Sequence, residues 1–180
     1  MQAVSELSEV SDDTRAGAEA VYAEHRDRVF HWALRYGAGD AGWAEDLLHD
    51  VFVKLLEQLN DEAPQDVGGW LYRVTANLAI SRIRRERSLL GRLHRALVPH
   101  DAGRPPDELL EERAAATEAL RLLSKLPERE RVVLCMKVLD GRTQRQISEA
   151  LGLSEGYVSK LAARAWQRVR AAGWEGADEP

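Results

Sequence analysis

The feature that most restricts the fold of this 180-residue chain lies near its C-terminus, where two short helical patterns flank one glycine. Thr143 can accept a hydrogen bond from a free backbone N–H group at a helix start, and Gly152 can adopt the left-handed conformation that ends a helix. Ser154 can then cap the next helix. The spacing predicts a helix-turn-helix within residues 126–170. Its predicted buried positions recur at steps of three and four, namely Ile147, Ala150, Leu151, Val158, Leu161, Ala165 and Val169.

The second helix of this motif is polar and basic on its other face. Side chains of this kind read base edges and bind phosphates, so the pattern indicates contact with duplex DNA. An ordinary helical hairpin with a solvated basic face is the alternative. The residues predicted on the exposed face are Glu155, Tyr157, Ser159, Lys160, Arg164, Gln167, Arg168 and Arg170.

The net charge of −5 is unusual for a protein that binds DNA, but the charge is unevenly distributed. Residues 1–66 carry −10, whereas residues 67–104 and 121–172 carry +6 each, and residues 105–120 and 173–180 are acidic. Attraction to phosphates depends on the local charge rather than the total. The two basic segments therefore predict two nucleic-acid contacts, and the acidic first part predicts a surface for a different partner.

The acidic first part contains two predicted helices. Residues from about 14 to 36 place Val21, Tyr22, Val29, Phe30, Ala33 and Leu34 on one side. Residues from about 40 to 59 have a stronger apolar stripe, made of Leu47, Leu48, Val51, Phe52, Leu55, Leu56 and Leu59. On the opposite side of this second helix, the predicted solvent-facing residues are Glu45, Asp46, His49, Asp50 and Glu57.

A third helix is predicted from Trp70 to about Arg87, after a loop with one proline and two glycines. We expect its inward side to consist of Trp70, Leu71, Val74 and Leu78. A separate polar stripe carries Arg73, Asn77, Ser81 and Arg84. An asparagine within a basic stripe flanked by aromatic residues indicates a nucleic-acid contact, although simple solvation of a surface helix is the alternative.

These patterns predict an all-α protein with two small helical domains. The first spans residues 14–88 and the second residues 115–172. Residues 89–114 contain Pro99, Gly103, Pro105 and Pro106 within a polar stretch and are expected to form a flexible linker that lets the domains change their spacing. Residues 1–13 and 173–180 are acidic or small, and we expect them to be disordered tails.

Several functional classes lack their signatures in this sequence. No apolar run approaches the length of a membrane span, and the N-terminus lacks the pattern of a secretory leader, so we expect a cytoplasmic protein. Cys135 is the single cysteine, and the five histidines show no metal-ligand spacing with it. Because no glycine-rich phosphate loop or paired nucleophile and base appears either, we expect neither a metal, nor a cofactor, nor an enzyme.

Two blocks of the sequence resemble a known family. Residues 44–59, AEDLLHDVFVKLLEQL, and residues 70–87, WLYRVTANLAISRIRRER, resemble region two of bacterial sigma factors of the sigma-70 family, the promoter-specificity subunits of RNA polymerase. Residues 120–170 resemble region four of the same family. With only a linker between the blocks, the layout resembles the extracytoplasmic-function (ECF) group.

The resemblance implies that the acidic face docks on core RNA polymerase through Asp46, His49, Asp50 and Glu57. It also implies that the third helix and the loop of residues 60–67 capture the non-template strand of the minus-ten promoter element. The residues expected to contact that strand are Trp70, Arg73, Asn77, Arg82, Arg84 and Arg85.

The resemblance further implies that residues 155–168 enter the major groove of the minus-thirty-five promoter element, with Arg142 and Arg145 on phosphates. Expected contacts there are Arg142, Arg145, Glu155, Tyr157, Ser159, Lys160, Arg164 and Arg168. Members of the ECF group are commonly held inactive by an anti-sigma protein that wedges between the two domains. An anti-sigma factor is therefore an expected partner, besides core polymerase and promoter DNA.

The sequence departs from the family pattern at a few positions and leaves two other functions open. His49 replaces a common glutamine, Ala76 replaces a common basic residue, and residues 154–165 resemble the recognition helix of larger alternative sigma factors. A stand-alone helix-turn-helix regulator would not need the third helix or the acidic face. A sigma mimic that sequesters an anti-sigma protein would share the fold but lack the basic stripes.

Overall fold

The structure, a computed structural model, describes residues 12–61, 63–88 and 110–173. Within these ranges the chain forms seven α-helices and one short π-helix, so the predicted all-α class is confirmed. The predicted tails fall almost entirely outside the described residues, as do residues 89–109 of the predicted linker. The helices are α1 (Asp12–Tyr36), α2 (Ala41–Asp61), α3 (Val67–Arg87), α4 (Leu110–Lys125), α5 (Glu128–Leu134), the π-helix (Cys135–Leu139), α6 (Gln144–Leu151) and α7 (Glu155–Ala171).

Helices α1 to α3 pack against one another around the apolar stripe of α2. The predicted stripe is confirmed from Leu47 to Leu55, whereas Leu56 and Leu59 are half-buried. The stripe predicted for α1 is partly wrong, because Tyr22 is 40% exposed while Trp32 and Tyr36 are buried. Those two aromatic residues lie nearer the C-terminal end of α1, where other helices of the chain contact it.

The buried side of α3 is also rotated from its predicted position. Trp70, Val74 and Leu78 are half-buried, and the fully packed side chains lie beside them. The physical reason is that α3 contacts α1 and α2 on one side and α5 and α6 on another, so more of its circumference is covered. The buried residues of α3 are Leu71, Tyr72, Thr75, Ala76, Ala79, Ile80 and Ile83.

The second half of the chain contains the predicted helix-turn-helix. Thr143 caps α6 through a reciprocal capping box with Gln146, and Gly152 ends that helix in the left-handed conformation at φ 63°. The Ser154 hydroxyl accepts a hydrogen bond from the Tyr157 backbone N–H group at 3.3 Å and caps α7. All three turn predictions are confirmed. Behind the motif, α4, α5 and α7 enclose a small core of Leu122, Leu126, Leu134, Ala165, Trp166 and Val169.

The two halves lie directly against each other. One continuous cluster of buried side chains runs from Val29 in α1 through Ala76 in α3 to Val158 in α7. The helix α4 begins at Leu110, five residues inside the predicted linker. The two helical units expected from the sequence are therefore present, but they share a core rather than standing apart. None of the helices in the part of the chain that the structure describes combines the length and the apolar content that a membrane span requires.

Candidate nucleic-acid interface

The outer face of α2 is acidic and exposed, as predicted. Asp46, His49, Asp50 and Glu57 all face solvent along one side of the helix. Their backbone positions are fixed by the buried stripe on the opposite side of the same helix. The face is thus a rigid surface on which the spacing of the carboxylates is set by the helix geometry.

Arg82 lies within this acidic face. Its guanidinium contacts Asp46 at 2.6 Å and Asp50 at 3.6 Å on α2, and Glu86 at 3.4 Å on its own helix. The same group lies over the Trp43 ring, 5.4 Å from the centroid. The structure therefore places Arg82 among the residues expected to dock on polymerase, and not beside Arg73 and Asn77.

The polar stripe of α3 forms one wall of a shallow groove. Arg73, Asn77, Arg84 and Arg85 are exposed along this helix, and Trp70 is half-buried at its start. The Asn77 amide donates a hydrogen bond to the Arg73 carbonyl at 2.9 Å and lies 3.5 Å from the Ala150 carbonyl oxygen of α6. The groove is lined by Lys54, Trp70, Arg73, Val74, Asn77, Leu78, Ser81 and Ala150.

The outward face of α7 carries the side chains that the helix-turn-helix pattern predicted. Glu155, Ser159, Lys160 and Arg164 are exposed, and Tyr157 is half-buried. Helix α6 holds the start of α7 in place, because the Gln144 side chain donates a hydrogen bond to the Glu155 carbonyl at 3.0 Å. The inner side of α7 buries Val158, Leu161, Ala162, Ala165, Trp166 and Val169, which orients the polar face outward.

The three other arginines expected on the minus-thirty-five element have different surroundings. Arg145 is exposed on α6 and pairs with Glu149 one turn away at 3.0 Å. Arg168 contacts the buried carboxylate of Glu130 at 2.9 Å, which turns it toward α5. The Arg142 guanidinium lies over the ring of Tyr72 on α3, 4.6 Å from its centroid. Of the three, Arg145 is the one that the structure leaves facing away from other helices.

Asp140 is a residue whose role no sequence pattern predicted. It follows the π-helix, and its carboxylate, only 4% exposed, accepts hydrogen bonds from Arg35 and from the Tyr72 hydroxyl at 2.9 Å. The Tyr36 hydroxyl lies 3.4 Å away. Burial, followed by the charges of its neighbours, raises the pKa of Tyr36 well above its usual value. Burial is also the largest cause that raises the pKa of Tyr72, and it outweighs the hydrogen bond with Tyr36 that lowers it. Both phenols therefore stay protonated and available as donors.

Within the described residues, no group of three histidine, cysteine or acidic side chains is arranged to hold a metal ion. Cys135 is buried, and its burial raises the pKa of the thiol to about 12. A thiol in this environment remains protonated at neutral pH and is a poor nucleophile. Cys135 packs as a small side chain in the shared core, where its thiol donates a hydrogen bond to the Arg35 carbonyl at 3.7 Å.

Comparison with protein families gives two matches in chain order. The model described as "Sigma-70 region 2" matches residues 21–89, and that described as "Sigma-70, region 4" matches residues 122–171. The chain is 31% identical over 135 residues to the RNA polymerase sigma factor SigZ of Bacillus subtilis, covering 69% of this chain and 72% of SigZ.

Two further similarities extend over most of the chain. The ECF RNA polymerase sigma factor SigE of Mycolicibacterium smegmatis is 27% identical over 153 residues, which cover 82% of this chain but 58% of SigE. The sigma factor RpoE of Bartonella quintana, solved in complex with the anti-sigma factor NepR, has the same fold, with a TM-score of 0.58 at 17% identity. That match covers 89% of this chain and 96% of the other.

Proposed function

Because the chain belongs to the sigma-70 family of RNA polymerase sigma factors, with the two-region layout of the ECF group, we propose that it directs core RNA polymerase to specific promoters. In this role the polymerase performs the chemistry of RNA synthesis, and the chain acts in the cytoplasm as a specificity subunit. The chain spans just over half the length of the curated SigE, so its activity and partners are inferred from its own surfaces.

One observation carries the proposal: an exposed acidic helix face and two exposed basic helix faces occur on helices of one chain that share a core. The acidic face on α2 holds Asp46, His49, Asp50 and Glu57. A surface of this charge repels DNA and suits a basic protein partner. We assign it to docking on core polymerase.

The stripe on α3 suits capture of an unpaired DNA strand at the minus-ten element. Trp70 offers an aromatic surface for stacking, and Asn77 offers an amide for base edges. Arg73, Arg84 and Arg85 surround them with positive charge. Extruding a base costs on the order of a few kcal/mol, whereas stacking returns about 1–3 kcal/mol per base, so contacts of this size decide where melting begins.

The outer face of α7 suits the major groove of the minus-thirty-five element. Lys160 and Arg164 lie one helical turn apart on its exposed side, with Glu155 and Ser159 nearer the start of the helix. A helix-turn-helix presents the N-terminal residues of its second helix to base edges. Arg142 and Arg145 complete the proposed surface as phosphate contacts, with Tyr157 and Arg168 at its margins.

We also propose control by an anti-sigma factor. The Bartonella quintana protein, which has the same fold as this chain over 89% of its length, was solved with such a partner. An anti-sigma protein that binds both regions would cover the polymerase surface and the DNA surfaces together. The proposal predicts that expression of such a partner lowers transcription that depends on this chain.

Two other functions agree less well with the surfaces. A stand-alone helix-turn-helix regulator would use α6 and α7 but has no use for the acidic face of α2 or the aromatic and amide groups of α3. A sigma mimic would have the fold without DNA contacts, whereas Arg73, Arg85 and Arg164 are exposed here. The function of a sigma factor uses all three of these faces, on α2, α3 and α7.

Binding measurements separate these functions. The purified chain is mixed with bacterial core RNA polymerase and passed over a sizing column, and its retention on duplex DNA is measured separately with and without core. A sigma factor co-elutes with core and retains promoter fragments in that complex. Retention on DNA without binding to core would favour the stand-alone regulator, and loss of both would favour the mimic.

A further inference from the structure

A polar cleft of about 770 Å³ lies where α1, α3 and α6 come together. Sites for small molecules generally occupy about 300–1,000 Å³, so the cleft has the size of a ligand site. Four arginines line it: Arg28 and Arg35 from α1, Arg73 from α3, and Arg142 from the turn before α6. Their side chains come from three different parts of the chain and meet around one concave space.

The carboxylates in the lining of this cleft already have partners. The three pairs are Asp140 with Arg35, Asp66 with the Gly69 N–H group, and Glu149 with Arg145. When Arg145 is counted with its partner, five arginines stand against three carboxylates, which leaves a charge of +2. The cleft therefore has an excess of positive charge that its own carboxylates do not neutralise.

The excess belongs to Arg28, Arg73 and Arg142, which form no ion pair with any of the described residues. Arg28 and Arg73 are exposed to solvent. The guanidinium of Arg142 lies on the Tyr72 ring, and its Nε atom is buried without an acceptor in the part of the chain that the structure describes. A concave surface with unpaired cations of one sign concentrates anions from solution.

The backbone of α3 leaves room for an anion beside one of these cations. A Cβ atom on Gly68 would lie 3.8 Å from Nη1 of Arg28, so the missing side chain keeps the guanidinium accessible. Gly68 is in the first turn of α3, whose N–H groups have no carbonyl partner within the helix. The Asp66 carboxylate is equally close to that position, but it already accepts the hydrogen bond that caps the helix.

The three unpaired arginines indicate the chemistry of the ligand. A guanidinium is planar and carries its N–H donors in a fixed fork, which matches the oxygens of a phosphate or a carboxylate. A single carboxylate has two oxygens and satisfies one such fork. Three guanidiniums on three different elements need more acceptor oxygens, spread over several positions. Linked phosphate groups provide both the oxygens and the opposite charge.

We propose that this cleft binds a small anion with two or three linked phosphate groups, held by Arg28, Arg73 and Arg142. Arg28 lies in the acidic first part of the sequence, where no contact with phosphates was predicted. The other two arginines are also proposed DNA contacts, so the bound anion withholds them from DNA. That consequence rests on the proposed function, whereas binding of the anion does not.

Isothermal titration calorimetry of the full chain with inorganic tripolyphosphate tests the site directly. The titration is made at constant ionic strength and without divalent cations, because added salt would itself screen the arginines. We expect one saturable site per chain. Sodium sulfate, which carries a single tetrahedral anion, is expected to bind at least about tenfold more weakly, because it engages fewer guanidiniums.

A matched pair of substitutions on α1 assigns the binding to the cleft. Arg28→Gln is expected to weaken tripolyphosphate binding at least about tenfold, because hydrogen bonds to a charged group are lost. Arg26→Gln removes the same charge two residues away, from a side chain that is 55% exposed and pairs with Asp27. This control should keep the affinity of the unmodified chain. Circular dichroism and thermal unfolding verify that both variants are folded.

Competition with DNA measures the consequence of binding and separates the two sources of phosphate. Fluorescence anisotropy of a fluorescein-labelled single-stranded oligonucleotide is followed while tripolyphosphate is added at constant ionic strength, without polymerase. We expect displacement of the oligonucleotide from the unmodified chain, and displacement from Arg28→Gln only at about tenfold higher concentration.

Three results would overturn the proposal or one part of it. Without saturable tripolyphosphate binding, and with weaker oligonucleotide binding by Arg28→Gln, the cleft would be a site for DNA phosphates alone. Equal losses in Arg28→Gln and Arg26→Gln would show attraction by net charge rather than a site. Binding of tripolyphosphate that leaves DNA affinity unchanged would refute the competition. A chain that binds tripolyphosphate as expected but never directs transcription would refute the sigma proposal and leave the anion site intact.

Discussion

Arg82 on α3 donates a hydrogen bond to Asp46 on α2 across 2.6 Å and extends to Asp50 on the next turn. This pair joins two helices and places a positive charge within an otherwise acidic surface. The guanidinium is also over the Trp43 ring, whose N–H group donates to Glu86 at 2.7 Å. Arg82 therefore orients carboxylates of the proposed polymerase-docking face, a role that its position in a basic segment did not suggest.

Replacing Arg82 by alanine is expected to weaken core polymerase binding and to lower stability by about 1 kcal/mol, because a partly exposed ion-pair network contributes on that order. Direct binding of the chain to DNA should change little. Thermal unfolding and a core-binding titration measure the two effects. Arg85→Ala, on the exposed stripe, is the matched control and should reduce DNA contact while leaving core binding unchanged. Weaker DNA contact for Arg82→Ala and weaker core binding for Arg85→Ala would refute the placement of Arg82 on the polymerase-docking face.

Replacing Asn77 by alanine should leave the fold intact, because the side chain is exposed and bonds only two backbone carbonyls, that of Arg73 one turn away on α3 and that of Ala150 on α6. We expect slower or weaker promoter opening, because one base-reading amide is lost. Fluorescence of a base analogue placed in the minus-ten element reports the opening. Ser81→Ala, one turn further along the same stripe, is the control for a general effect on the helix. Normal opening by the Asn77 variant would remove this residue from the proposed site.

Phe52 provides the structural contrast, because the residue is 9% exposed and its ring packs edge-on against Tyr22 with centroids 4.7 Å apart. Phe52→Ala is expected to cost about 3–5 kcal/mol and to unfold the first helical unit. Chemical denaturation followed by circular dichroism measures this loss. The neighbouring Val53 is 37% exposed, so Val53→Ala should cost much less. Similar losses for both would show that the α2 stripe is not the core.

Replacing Arg164 by alanine should weaken duplex binding and leave core binding unchanged. If its guanidinium binds one phosphate, the slope of log affinity against log salt concentration falls by about 0.9. A salt titration of duplex binding by the polymerase complex measures this slope. Arg121, exposed on α4 and paired with Glu118, is the control. An unchanged slope for Arg164→Ala would place this side chain away from the phosphates.

The turn of the helix-turn-helix depends on Gly152, whose φ of 63° is unfavourable for residues with a Cβ atom. A Cβ atom there meets no other atom within 4 Å, so the cost of Gly152→Ala is conformational, about 1 kcal/mol. Gly156 lies in open space within α7, where alanine should instead stabilise by about 0.5 kcal/mol. Thermal unfolding of the two variants should therefore shift in opposite directions. A shift of the same sign in both would contradict the turn assignment.

Burial and turn conformation were predicted correctly from the sequence where they depend on a single core or on the local backbone alone. The apolar stripe of α2 faces a single core, so its periodicity was enough to predict which residues are buried. The turn at Gly152 depends on local backbone conformation, so the capping residues were enough to predict it. Trp32, Tyr36 and Tyr72 were missed because they are buried where the two halves meet, and no local pattern records that contact. The same contact buries side chains of α3 that the sequence pattern did not predict to face inward.

The sequence predicted which helix faces form the candidate site. It did not predict which of the individual arginines contact other parts of the chain. Lys160 and Arg164 were correctly predicted to be exposed on α7. Arg82, Arg142 and Arg168 have the same helical or loop signatures, yet each contacts a tertiary partner: Asp46, Tyr72 and Glu130 respectively. An arginine side chain is long and flexible, so it contacts whichever carboxylate or aromatic ring the tertiary fold brings near. A sequence pattern contains no information on that partner.

As a sigma factor, this chain is expected to give core RNA polymerase its promoter specificity. The most direct measurement is to map the 5′ ends of transcripts made from fragments of its own genome by core polymerase, with and without the chain. We expect a limited set of new start sites that share upstream sequence elements and disappear when the chain is omitted. Identical start sites in both reactions, despite stable binding of the chain to core, would contradict it.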